Sequence, residues 1–164
     1  MKLSELLEED DFLLGVPSRE KRSALEAVAS RLGRRTGRRE GEVLNVLLRR
    51  ERLGSTATGD GLAIPHAVLV GISVPAAVIA TMQHPVAFDA PDDGDVDLLL
   101  GLLWPNDAGG FLLTLSQSSR LFRRPAHREY LRQATSPAEA LAAIEAMERN
   151  SAAAGHLASA GAVT

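Results

Sequence analysis

The chain has 164 residues, 45% of them apolar, with 18 Lys+Arg against 21 Asp+Glu and a formal net charge of −3. That is enough for one domain with a proper core and too little for two, and the charge balance argues against a general nucleic-acid binder. The absence of cysteine excludes a disulfide framework and a thiolate metal site.

Met1-Lys2-Leu3-Ser4, followed by the acidic run Glu8-Glu9-Asp10-Asp11, does not read as a secretory signal. The longest apolar run, Leu98 to Trp104, is far too short to span a bilayer, so the expectation is a cytoplasmic protein with no membrane insertion. Ser4 is placed to cap a short helix through Leu6 and Leu7, and Phe12 to Val16 reads as a strand ending at Pro17. With Ser18 as N-cap, Leu25, Val28, Ala29 and Leu32 recur at helical spacing up to Gly33. Arg34, Arg35, Arg38 and Arg39 then form a basic cluster, read here as a solvated loop between helices. Glu40 to Glu51 carries a broad apolar face of Val43, Leu44, Val46, Leu47 and Leu48, which predicts a second helix.

That helix delivers Arg49, Arg50 and Arg52 to Gly54-Ser55-Thr56-Ala57-Thr58-Gly59-Asp60-Gly61-Leu62-Ala63-Ile64-Pro65-His66. The glycines suit a tight loop, and Leu62-Ala63-Ile64 reads as a short buried strand. Pro65 has no N–H for a sheet ladder, so the strand should stop there and present His66 at its rim. A histidine held in this way suits a nucleophile or an acid/base, because its neutral ring nitrogen can attack phosphorus or accept a proton. The glycine spacing fits neither common nucleotide loop: Ile64 stands where the dinucleotide fingerprint needs glycine or alanine, and no Gly-Lys-Ser/Thr follows.

Val74 to Met82 is β-rich, with a strand expected from Ala77 and His84 exposed in a turn before Pro85. Asp89, Asp92, Asp93, Asp95 and Asp97 lack the flanking helices and terminal glutamate of a calcium loop and read as a solvated turn. Val96 and Leu98 to Leu103 form a nearly continuous apolar strand of the kind helices cover on both faces, which implies a layered α/β/α core. After the turn Pro105 to Gly110, helices are expected over Phe111–Arg123, Ala126–Gln133 and from Ser136-Pro137 to Glu148. Residues 151–164 read as a disordered tail behind a domain of residues 1–150.

Arg50 to Thr56 with Ala63-Ile64-Pro65-His66, together with Pro85 to Asp92, Val96-Asp97-Leu98 and Leu103-Trp104-Pro105, resembles the EIIA domains of the bacterial phosphotransferase system. The likeness is to the fructose/mannitol class and most to its nitrogen-regulatory branch, and it runs from about Leu3 to Met147. It implies a three-layer α/β/α sandwich with a mixed central β-sheet flanked by helices. It also implies a carrier that takes a phosphoryl group on His66 from an HPr-like phosphocarrier protein and regulates target proteins of the transporter or sensor-kinase class. By the same resemblance Arg50 clamps the phosphoryl oxygens, while Thr56 and the Gly59-Asp60-Gly61 backbone supply hydrogen bonds; no cofactor and no metal are implied.

One departure stands out. Phe111 occupies the position where the family usually carries a second histidine beside the phosphorylated one, so a His-Leu pair reads Phe111-Leu112 here. His127 is out of register to replace it, and His156 lies in the tail. The substitution favours a regulator over a sugar-transport EIIA component and leaves a non-phosphorylated binding module as a further reading.

Overall fold

Leu98 to Trp104 is the most apolar stretch of the chain, and it occupies the middle of the fold. In the computed structural model, which describes residues 1–106 and 109–160, with side chains through residue 153, this stretch is the core of strand β6 (Val96–Pro105). β5 (Ala76–Val86) pairs antiparallel with one edge of β6 and parallel with β1 (Phe12–Val16) beyond it. The other edge of β6 is shared end to end by two short parallel strands, β3 (Leu62–Ala63) and β4 (His66–Leu69). β2 (Ala57–Gly59) closes that side, antiparallel to β3.

Alternation along these strands divides the apolar residues between two cores. Ala63, Ala67, Val78, Ala80, Leu99 and Leu103 face α1 (Lys21–Thr36) and α2 (Glu40–Arg52), which contribute Leu25, Val28, Leu32, Val43 and Leu47. Leu62, Ile64, Ile79, Leu100, Leu102 and Trp104 face α3 (Phe111–Phe122), α4 (Pro125–Gln133), α5 (Pro137–Ala160) and the N-terminal Leu3, Leu6 and Leu7. The result is the expected three-layer sandwich with a mixed sheet. At Gly101 a Cβ would run into the Val28 side chain, so only glycine lets α1 approach β6 so closely.

Several local expectations are corrected. Helix α1 is N-capped by Glu20, not Ser18, and continues through Gly33 to Thr36 before closing on Gly37 at φ 68°. Gly33 lies under the returning chain, where a Cβ would sit 2.8 Å from the Arg38 carbonyl oxygen, so its role is to permit the reversal and not to stop the helix. Two of the four arginines in the basic cluster, Arg35 and Arg38, are ion-paired, and Arg34 and Arg35 lie within α1 and not in a loop. Arg35 meets Glu8 at 2.6 Å and Asp11 at 3.2 Å, Arg31 meets Asp11 at 2.7 Å, and Arg38 meets Glu42 at 3.3 Å. Asp11 is fully buried, and that carboxylate requires cationic partners.

The residues Ser4–Leu6 form a 3-10 turn, and the Ser4 hydroxyl donates to Glu148 on α5, so it does not cap a helix. β5 starts one residue early and runs on through His84 and Pro85 after an irregularity beyond Thr81, so exposed His84 lies on a strand and not in a turn. α5 continues past Glu148 to Ala160, carried by alanine, the strongest helix former. Asp107 and Ala108 of the expected turn, residues 161–164 of the expected tail and the His156 side chain lie outside the described residues. Among the described residues, no helix is long and apolar enough to cross a membrane.

Candidate functional site

β3 and β4 are one strand interrupted by Ile64-Pro65. Leu62 pairs with Leu98 and His66 with Leu102, an offset of 36 in both cases (98−62 and 102−66), so the break does not shift the register. The Pro65 carbonyl accepts from Leu102 N–H at 2.9 Å, while Ile64 N–H turns sideways to the Thr56 carbonyl, also at 2.9 Å. The Ile64 carbonyl is left to accept from Nδ1 of His66 at 2.7 Å. β3 therefore stops at Ala63, one residue short of the expected Ile64, and His66 does not stand at a free rim: it opens β4.

The Ile64 contact places the ring proton on Nδ1, and the opposite nitrogen agrees. Nε of Arg50 donates to Nε2 of His66 at 3.1 Å, which requires a lone pair there, and Nη1 of Arg50 donates to the Gly54 carbonyl at 3.0 Å. Burial pushes the His66 pKa below its ordinary 6.5, Arg50 pushes the same way, and the Ile64 carbonyl and Glu51 oppose them. At neutral pH the ring is a neutral imidazole with its nucleophilic nitrogen beside a guanidinium.

Two residues that the sequence reading passed over hold this arrangement. Glu51, the neighbour of Arg50, is buried and accepts from Thr56 N–H at 3.1 Å, from the Thr56 hydroxyl at 2.5 Å and from Nζ of Lys21 at 2.8 Å. A lone glutamate inside Arg49 to Arg52 was the available signal; nothing in the sequence marked Lys21. Thr56 is thus brought close to His66 through Ile64, but its hydroxyl reaches a phosphoryl group only by leaving Glu51. The Gly59-Asp60-Gly61 backbone does not join the site: it turns β2 into β3, about 16 Å or more along the strand from His66. Asp60 N–H is already held by Asp92 at 2.8 Å.

On the other side of His66 stands Phe111, the first residue of α3, with its ring centroid 5.7 Å from the imidazole and tilted by 54°. Trp104 packs against Phe111, again at 5.7 Å. The sequence reading placed Phe111 beside the histidine, and it is there. His127 is bonded through Nδ1 to the Leu121 carbonyl at the far end of α3, so it supplies no second imidazole at this place.

Residues 5–147 match the family model described as phosphoenolpyruvate-dependent sugar phosphotransferase system, EIIA 2. A nitrogen regulatory protein of Pseudomonas aeruginosa is 36% identical over 143 residues, covering 86% of this chain and 92% of that protein. One from Bradyrhizobium diazoefficiens is 36% identical over 124 residues, covering 75% and 81%. The crystal structure of nitrogen regulatory protein IIA-Ntr from Neisseria meningitidis superposes with a TM-score of 0.81 at 32% identity, covering 86% of this chain and 97% of that one. The chain belongs to the EIIA 2 family of the phosphotransferase system, whose members are phosphotransfer proteins.

Proposed function

We propose that this protein is a cytoplasmic, nitrogen-regulatory EIIA-type phosphoryl carrier in which Nε2 of His66 is the acceptor. The observation that carries the reading is the tautomer: Nδ1–H is tied to the Ile64 carbonyl, and the Nε2 lone pair faces Arg50. In an in-line transfer from the phosphohistidine of an HPr-like carrier, the Nε2 lone pair forms the new N–P bond as the donor's N–P bond breaks, and its electron pair returns to the donor imidazole. Such a reaction depends on positioning and charge stabilisation. Arg50 supplies both: its donors swing from Nε2 to the phosphoryl oxygens, where a planar, always-charged guanidinium fits two at once. Thr56, held by Glu51, steadies the Ile64 carbonyl that orients the ring.

The surroundings favour a protein donor. Leu53, 86% exposed, lies three residues after Arg50, and Leu112 and Leu113, 76% and 58% exposed, follow Phe111, so exposed apolar side chains adjoin in sequence the residue on each side of the histidine. Phosphorylation would replace a neutral ring in that surface by a charged group, which gives target proteins of the transporter or sensor-kinase class something to discriminate. Phe111 supports a second reading, a binding module that is not phosphorylated, because it puts a ring without donors where the family usually has histidine.

Intact-mass spectrometry after incubation with phosphoenolpyruvate, Enzyme I and an HPr-like protein decides between them. An acid-labile phosphoryl adduct on the wild type and none on His66→Ala is the expected result. No adduct on the wild type, with labelling gained by Phe111→His, would establish the binding module instead.

A further inference from the structure

A cavity of about 350 Å³ opens between α3, the last turns of α5 with described side chains and the N-terminal segment. That volume lies in the range of small-molecule sites. One stripe of α3, including Thr114, Ser118 and Leu121, forms a wall opposite Leu3, which gives the cavity apolar surface; His66, Arg50 and Phe111 do not line it.

Its charged groups are three cations and one carboxylate, beside the polar side chains of Thr114, Gln117, Ser118 and Ser151. Lys2, Arg120 and Arg124 line the cavity, and among the described residues none of the three side chains is paired with a carboxylate, although Lys2 N–H donates to Glu5 at 2.9 Å. The carboxylate in the wall, Glu148, forms no ion pair with them among the described residues: it accepts from Leu3 N–H at 2.7 Å, from Ser4 N–H at 3.4 Å and from the Ser4 hydroxyl. Ser118 provides an independent observation. The residue is 2% exposed, and its hydroxyl has no hydrogen-bond partner among the described residues. A helical serine or threonine can satisfy itself on the carbonyl one turn back, as Thr36 does with Leu32 at 2.8 Å. Ser118 does not, and a buried hydroxyl left unpaired in a cavity wall beside unpaired cations is what an incoming polar ligand would complete.

We propose that this cavity binds a small organic anion, its acid group held by Lys2, Arg120 and Arg124, a polar atom bonded to Ser118 and an apolar body against Leu3 and Leu121. A carboxylate and a phosphate ester share that chemistry, and paired probes separate them.

The test is an amide-shift NMR titration of the full chain with benzoate, phenyl phosphate, inorganic phosphate and benzyl alcohol. It is run on the wild type, on Arg120→Gln/Arg124→Gln and on Ser118→Ala. The expected result is a saturable shift of the Thr114, Gln117 and Ser118 amides by benzoate or phenyl phosphate, with a Kd of about 1–10 mM for probes of this size. The double variant should weaken it about tenfold or more, Ser118→Ala severalfold, and whichever acid binds more tightly names the class. The proposal is overturned if neither organic anion shifts those amides, if benzyl alcohol binds as well as benzoate, if inorganic phosphate binds as tightly as phenyl phosphate, or if the double variant binds unchanged. An anion captured at His66 and Arg50 would shift a different set of amides, so neither result depends on phosphoryl transfer.

Discussion

His66 stands between two flanks that come from opposite layers of the same sheet and differ in kind. The α2 flank is polar and fully connected: Arg50 donates to the ring, and Glu51 gathers Thr56 and Lys21 behind it. The α3 flank is aromatic, with Phe111 against the imidazole and Trp104 against Phe111. One flank fixes where the ring proton sits and brings positive charge to Nε2. The other covers the ring and offers no donor. A phosphoryl group on His66 would therefore draw its charge stabilisation from one side, which makes the α2 flank the one whose loss matters most.

Removing the charge from that flank should produce the largest effect short of replacing His66 itself. Arg50→Gln is expected to slow phosphoryl labelling by about 100- to 1000-fold, the usual loss for one preorganised donor to a developing charge. Arg50→Lys should recover only part of it, because an ammonium cannot span two oxygens. Quenched-flow labelling followed by intact mass reads both, and a change below tenfold in Arg50→Gln would place the charge stabilisation elsewhere.

Breaking the support behind the flank comes next. Glu51→Ala leaves the Thr56 N–H and hydroxyl without their acceptor and Lys21 without its buried partner. The expected loss is about 2–3 kcal/mol of folding stability, less than for a wholly buried pair because Lys21 is partly exposed. Urea denaturation measures it, and an unchanged midpoint would show that the carboxylate is not the organising group.

Making the flanks alike is the third test. Phe111→His adds a second imidazole at the place of the ring now 5.7 Å away, and labelling should rise about tenfold. That is less than Arg50 is worth, because nothing in this chain has shaped a hydrogen-bond partner to orient the new ring.

The same contrast explains what the sequence made legible. β6 and the helices packed on both faces follow from Val96 to Leu103 and from the spacing of Leu25 to Leu32 and Val43 to Leu48, because burial writes a strong periodic signal. Pro65 marked the break before His66, since a missing N–H is a property of the residue alone. The return of the strand as β4 was not legible, because it depends on Leu102 across the ladder and not on anything local to His66. Arg35 and Asp11 looked like separate charge runs, and only the fold brings them within 3.2 Å. Glu51 and Lys21 were missed for the same reason: they lie 30 positions apart in the chain, and their meeting is tertiary.

The smallest expected effect sharpens the comparison by measuring what each flank contributes to the neutrality of His66. Burial, to which Phe111 contributes, is the main cause of the lowered pKa, and the Arg50 charge acts in the same direction. Arg50→Gln should therefore move the imidazole titration midpoint, followed by the ring proton shifts in NMR, upward toward 6.5 without reaching it. Phosphoryl acceptance should fall on the acid side at a midpoint below 6.5, because a proton on Nε2 occupies the lone pair that attacks phosphorus. Stability carries the same sign. A histidine whose folded pKa lies below its unfolded one contributes fully above the unfolded value, and the contribution is lost as pH falls through the folded pKa. Wild type should lose stability relative to His66→Gln on acidification below 6.5, and Arg50→Gln should narrow that difference. An unchanged midpoint in Arg50→Gln would mean that the aromatic flank alone keeps the ring neutral and that the guanidinium serves only the transferred group.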